Sequence, residues 1–146
     1  MTPEEILNAI VDEVEWRVAS ALGLEKERVY ETRSTGDQEG AAAYVSVEIP
    51  EMTGATQCAD RAVLEFLIGF ELFDDGERPR RIQRVEKQMA IRKALTWGGA
   101  IGGTPIGYAK LPQVTDMPVS EMGEPKDAMY MGGLGWRCQV DLPRVA

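Results

Sequence analysis

The chain of 146 residues contains no histidine. That absence excludes Ser–His and Cys–His nucleophile systems within the chain, and with them the commonest metal sites. Carboxylate- and lysine-based chemistry stays open. Cysteine is scarce: Cys58 and Cys138, far apart in the sequence, make no disulfide framework. Long apolar runs are missing too. The longest, AVLEFLIGFELF at 62–73, carries Glu65 and Glu71 and is too short for a helix crossing about 30 Å of hydrocarbon. The opening MTPEEILNAI is acidic and lacks a basic leader region, so no signal peptide is expected and a cytoplasmic origin is. Positive charge is in deficit, with 16 Lys and Arg against 24 Asp and Glu and a net charge of −8. Such a surface repels phosphate on average, which argues against general nucleic-acid or anionic-membrane binding.

What is present reads as one domain over 1–146. The apolar fraction is 44% and the charged fraction 27%, ordinary for a globular protein. A chain of this length buries roughly 68–70% of its unfolded surface, enough for one real core.

Thr2-Pro3-Glu4-Glu5 reads as a helix start, with Thr2 as cap, Pro3 in the first turn and Glu5 able to close a capping box. Ile6, Ile10, Val14 and Val18 then recur every four residues until Gly23, so a helix is expected over 3–22. RVYETR (28–33) and Tyr44–Ile49 read as two strands forming a long-looped hairpin, the second ended by Pro50. Residues 62–73 read as a long strand with a wholly apolar even face. Its odd face is mixed, and Val63, Leu67 and Phe73 on it require a partner if the sheet is covered on one side only. DDGE (74–77) is a turn. A second helix follows over 78–97, with Ile82, Val85, Met89 and Leu95 expected on its inner stripe. Residues 98–133 are rich in glycine and proline, with room for a short strand near Ile106–Leu111 or an extra hairpin. GLGWRCQVDLP near the end alternates strictly, apolar at even positions, and gives a closing strand over 134–142. The expected fold class is α+β: about four strands in a mixed or antiparallel sheet, two helices on one face, in the order α-β-β-β-α-β.

Few of these features carry chemistry. Cys138 shares the apolar face with Trp136 and Val140, and no histidine can activate it, so it reads as packing. Cys58 reads as a free structural thiol. GGAIGGTPIG (98–107) resembles a phosphate-cradling loop but lacks GK[ST] and follows a helix, whose C-terminal dipole repels anions. Its Ile101 and Ile106 suit a loop that orders against a partner. The arginines Arg78, Arg80, Arg81 and Arg84 crowd the start of the second helix, where the dipole disfavours cations. They read either as a solvated face softened by Asp74, Asp75 and Glu77, or as a contact for acidic protein surface such as another copy of this chain. Glu4-Glu5 and Asp74-Asp75 are explained as helix-start and turn residues rather than catalytic pairs. No cofactor, metal or catalytic residue is assigned, and the chain is not read as an enzyme.

The series of elements resembles the tail terminator (tail-completion, minor tail) family of long-tailed bacteriophages. The likeness lies in the helix ending ALGLEKERVY, the strand pair closing on YVSVEIP, the strand AVLEFLIGFELF, the helix RRIQRVEKQMAIRKALTW and the last strand GWRCQVDLP. It implies a structural protein of the virion tail, made in the host bacterial cytoplasm. It also implies a homo-oligomeric ring, expected to be a hexamer, that caps the tail tube, stops its polymerisation and offers the head-joining surface. The implied partners are further copies of the chain, the tail tube protein and a head-completion or connector protein. DNA would only pass through the lumen, and no membrane is involved. Arg78, Arg80, Arg81, Arg84, Val63, Leu67, Phe73, Ile101 and Ile106 would then serve subunit or partner contacts, and Asp37 and Glu39 would form an acidic loop facing the lumen. The rival readings are another head–tail joining or tail-tube component and, from a different class, a small α+β enzyme or ligand-binding domain.

Overall fold

In a computed structural model, Thr2 caps the first helix: its Oγ1 accepts a hydrogen bond from the Glu5 N–H at 3.2 Å, with Pro3 in the first turn. Gly23 ends the helix in the left-handed conformation at φ 69°, its N–H donating to the carbonyls of Ala19 and Ser20. Only glycine takes that backbone without penalty. The structure describes residues 2–31, 40–54, 59–95, 100–101, 104–105 and 128–143. The elements are helix α1 (Pro3–Leu22), a 3-10 turn (Lys26–Arg28), β1 (Val29–Tyr30), β2 (Ala42–Gly54), β3 (Ala59–Phe73), helix α2 (Arg80–Leu95), β4 (Ala100–Ile101), β5 (Thr104–Pro105) and β6 (Met129–Pro143).

The main sheet has the order β1-β2-β3-β6, with β1 parallel to β2 and the other pairs antiparallel; β4 and β5 form a separate small hairpin. This is the α+β arrangement with a mixed sheet that the sequence leads one to expect. The even face of β3 is buried from Ala62 to Leu72, and Leu134, Trp136, Cys138, Val140 and Leu142 of β6 are buried beside it. Phe66 and Trp136 are direct cross-strand partners, ring centroids 5.4 Å apart. Ile6, Ile10, Val14, Val18 and Leu22 of α1 join the same core, as do Ile91 and Leu95 of α2. Each such side chain contributes about 1.5–3 kcal/mol by leaving water, so the helix layer and the sheet hold each other in place.

Four expectations are corrected. The first two strands are not a hairpin: Val29 pairs with Ala43 in parallel. Parallel neighbours are not joined by a tight hairpin turn. The first strand is also shorter than 28–33, because Lys26–Arg28 winds into a 3-10 turn. Pro50 does not end β2. The pairing shifts register between Glu48 and Glu51 and resumes to Gly54; a bulge on an edge strand accommodates a residue with no N–H. The fourth correction concerns α2. Of its expected inner stripe, Leu95 is buried, but Ile82, Val85 and Met89 are exposed, and Gln83, Gln88 and Ile91 take the inner positions. Both glutamines have work there. Gln83 ties down the turn before the helix, and the Gln88 amide donates to the Gly133 carbonyl of β6 at 2.8 Å. Gly132 completes the fit. A Cβ at that position would lie 2.5 Å from Phe70 Cζ and 2.6 Å from Arg84 Cγ, so α2 approaches β6 only over a glycine.

Candidate interaction surfaces

The arginine cluster is built on the turn that launches α2. Asp75 Oδ1 accepts from the Glu77 and Arg78 N–H groups at 2.9 Å, and its Oδ2 takes the Arg78 Nε at 2.8 Å. Arg78 also reaches Glu86 at 2.5 Å. Asp74 accepts from Gln83 Nε2 at 2.7 Å, the Gly76 N–H at 3.0 Å and Arg80 Nε at 2.9 Å. Those donors hold the Asp74 carboxyl down to about 2, Gln83 contributing most. The Arg78 and Glu77 amides and the Arg78 side chain likewise hold Asp75 below the ordinary carboxylate range. Two of the four arginines, Arg78 and Arg80, are thus engaged within the chain. Arg81 is exposed, and Arg84 is half-buried with its stem over Gly132. The cation-disfavouring helix start is tolerated because two ionised aspartates sit beside it.

The outer face of the sheet carries Val63, Leu67 and Phe73. Phe73 is 60% exposed and Leu67 is exposed, but Val63 is half-buried. Around them stand two cross-strand ion pairs, Arg61 with Asp141 at 3.2 Å and Arg137 with Glu65 at 3.1 Å. Both join directly opposed residues, the positions at which strands couple side chains best, yet exposed pairs of this kind are worth only about 0.2–1 kcal/mol. At one end of this face Glu71, Met129 and Met131 are buried, so it is not uniformly open. The structure does not bring Val63, Leu67 and Phe73 together with the arginines into one patch; they lie on the sheet's outer face, whereas α2 packs on the other. Ile101 falls in β4 by its backbone. Ile106, Cys58, Asp37 and Glu39, and the strand expected near 106–111, lie outside the described residues.

Two apolar patches were missed in the sequence. One is Ile82, Val85 and Met89 on α2, with Val85 50% and Met89 65% exposed. The other is Val47, Ile49 and Met52 along the far half of β2. Val47 and Met52 share the inner sheet face with their partners Phe66 and Ala62, which are fully buried, but they stand at the uncovered edge. Pro50 was the available signal for that edge, since proline in a strand marks one. For α2 the signal was the presence of two apolar stripes at helical spacing, only one of which a single sheet can take. Trp16, also exposed, lies on the outward stripe of α1 with the Lys26 ammonium 5.9 Å from its ring centre.

Burial pushes the Cys138 thiol up to about 12, which leaves it protonated and unreactive. Among the described residues no cluster of acidic or cysteine side chains could hold a metal ion, and no helix is long and apolar enough to cross a membrane. No family model and no curated protein matches the chain.

Proposed function

We propose that this chain is a structural assembly subunit, a tail terminator that caps a phage tail tube as a ring, ends tube growth and presents the surface that meets the head. The observation that carries the reading is the distribution of apolar surface. A well-packed core coexists with Ile82, Val85 and Met89 on one edge of the domain, Val47, Ile49 and Met52 on the other, and Leu67 and Phe73 on the outer sheet face. Apolar groups gathered in patches, rather than scattered singly, mark surfaces that meet other proteins. The resemblance in element order supplies the kind of assembly. On this reading Asp37 and Glu39 belong to a lumen loop whose charge keeps DNA from sticking, and the tail tube protein and a head-completion protein are the neighbours.

The test is tube growth. Purified tail tube protein from the same phage is polymerised with and without this chain and imaged by electron microscopy. Tubes of restricted length bearing a ring at one end are the expected result. Tubes that grow equally long, with bare ends, overturn the proposal.

A further inference from the structure

We infer that copies of this chain join head to tail, the α2 face of one (Ile82, Val85, Met89) docking on the far half of β2 of the next (Val47, Ile49, Met52). This rests on the assembly reading and specifies its surfaces. The two patches lie at opposite edges of the sheet. β1 pairs with β2 only at Ala43 and Tyr44, so among the described residues nothing pairs with the outer side of β2 beyond them. At the other edge α2 packs on β6, as the Gln88–Gly133 bond and the Arg84–Gly132 approach show. Within α2, Val85 lies about half a turn round from Ala94, whose carbonyl accepts a hydrogen bond from Arg17 of α1 at 2.9 Å. The apolar stripe is therefore on the flank turned away from α1.

Charge selects the pairing. α2 carries Arg80, Arg81, Arg84, Lys87, Arg92 and Lys93 against Glu86 alone, in a chain whose net charge is −8. β2 carries Glu48 and Glu51 and no basic residue. Two α2 faces set against each other would oppose arginines, and two β2 edges would oppose glutamates. Glu48, opposite Glu65, stands on the outer side of the strand, across from Val47 and Met52 on the inner side, so an α2 face against the β2 edge brings the basic helix to an acidic strand at the rim of the apolar contact, which favours the meeting of unlike patches. Strand addition at β2 is disfavoured, because Pro50 offers no N–H and the register shift after Glu48 breaks the ladder. The contact is then made by side chains. A contact between different patches is heterologous, and its repetition closes into a ring when the rotation allows.

The experiment uses two double variants of the full chain, V85D/M89D on α2 and I49D/M52D on β2, followed by native mass spectrometry over a concentration series. Far-ultraviolet circular dichroism and tryptophan fluorescence check folding. The wild type is expected to form oligomers and each variant to remain a monomer. An equimolar mixture of the two is expected to give a heterodimer and nothing larger, since each supplies the one face the other has lost. A wild-type monomer at every concentration overturns the inference, as does wild-type assembly by either variant or a mixture with no heterodimer. If a double variant fails to fold, R81E and E48K replace the pair. Each should weaken assembly alone, and the chain carrying both should recover it; no recovery overturns the inference. Tube growth separates the two claims. Tubes capped by both variants as well as by wild type refute these surfaces and leave the function standing. Assembly through these surfaces with no effect on tubes refutes the function and leaves the surfaces.

Discussion

The two helices lie side by side on one sheet face, and they differ in how their sequences divide apolar from polar. α1 confines its buried residues to one stripe, Ile6, Ile10, Val14, Val18 and Leu22, and Glu4, Asn8, Asp12 and Ser20 occupy the opposite side. Only Trp16 breaks the outward face. α2 has apolar residues on both sides, with Ile91 and Leu95 inward and Ile82, Val85 and Met89 outward, while Gln83 and Gln88 are buried. Periodicity locates a helix in both cases, but it fixes the buried face only when one stripe is apolar. In α2 the choice falls to hydrogen bonding. A buried glutamine with good partners stabilises the packed state, and an exposed methionine costs little. The surplus apolar stripe is what a helix needs when one side meets its own sheet and the other a neighbour.

The sharpest way to break this comparison is to shorten one residue from each helix. Ile10→Ala on α1 should lower stability by about 2–5 kcal/mol, the usual range for a buried isoleucine. Met89→Ala on α2 should change it by no more than about 0.5 kcal/mol, as for exposed positions generally. Urea unfolding of both variants, under conditions that keep the chain monomeric, gives the two values. Equal losses would mean that Met89 is packed and that the two faces of α2 are reversed. Next in size is Gly132→Ala. The added methyl meets the Phe70 ring and the Arg84 stem, so α2 must lift or Phe70 must turn. Overpacking of this kind costs about 1–3 kcal/mol, and a midpoint unchanged from wild type would show that α2 does not press on β6 there.

Much of the fold is legible before any coordinates. Thr2, Pro3 and Gly23 bound α1 because capping is local chemistry. The even faces of β3 and β6 declare themselves because alternation is local too, and the expected α-β-β-β-α-β order holds for the main sheet. The pairing of β1 was not legible. Val29 and Tyr30 suit either direction, and a strand of two residues carries too little pattern to decide it. The edge of β2 was missed: Pro50 reads as the strand's end, and the bulge that carries the strand past it depends on the register with β3. The candidate surfaces fared worse for the same reason. Exposure of Val47 or Val85 is a property of what neighbouring elements leave uncovered, and the sequence around each reads equally well as core. The arginine cluster was legible as a cluster, but its division into Arg78 and Arg80, tied to Asp75 and Asp74, and Arg81, left outward, needs the geometry of the turn.

Between those extremes stand the buried glutamines. Gln88→Leu keeps the bulk of the side chain and removes the donor to the Gly133 carbonyl. Leaving that acceptor unpaired inside costs about 1–3 kcal/mol. Gln83→Leu removes in one step the donor to Asp74 and the acceptor for the Asp75 N–H at 3.0 Å, and a loss of similar size is expected. The comparison to make is with a leucine placed at an outward position of the same helix, Lys93→Leu, which should fall within about 0.5 kcal/mol. If thermal unfolding finds all three alike, the buried amides are not what orients α2.

The smallest expected effect is a pH dependence confined to the turn before α2, and its sign follows from the direction of two shifts. Asp74 and Asp75 titrate lower in the folded chain than in the unfolded one, Asp74 at about 2. A carboxyl held low binds its proton more weakly when folded, so its contribution is fully present above the unfolded value near 4 and is lost as pH falls through the folded value. Between about pH 4 and pH 2 the chain should therefore lose stability from this turn. Asp74→Asn should flatten part of that slope, because an amide keeps one acceptor for the Gln83 donor and cannot titrate. Guanidinium unfolding at closely spaced pH values reads the difference. An Asp74→Asn slope parallel to wild type would place the acid-sensitive electrostatics of the fold elsewhere than at the turn that anchors the basic helix.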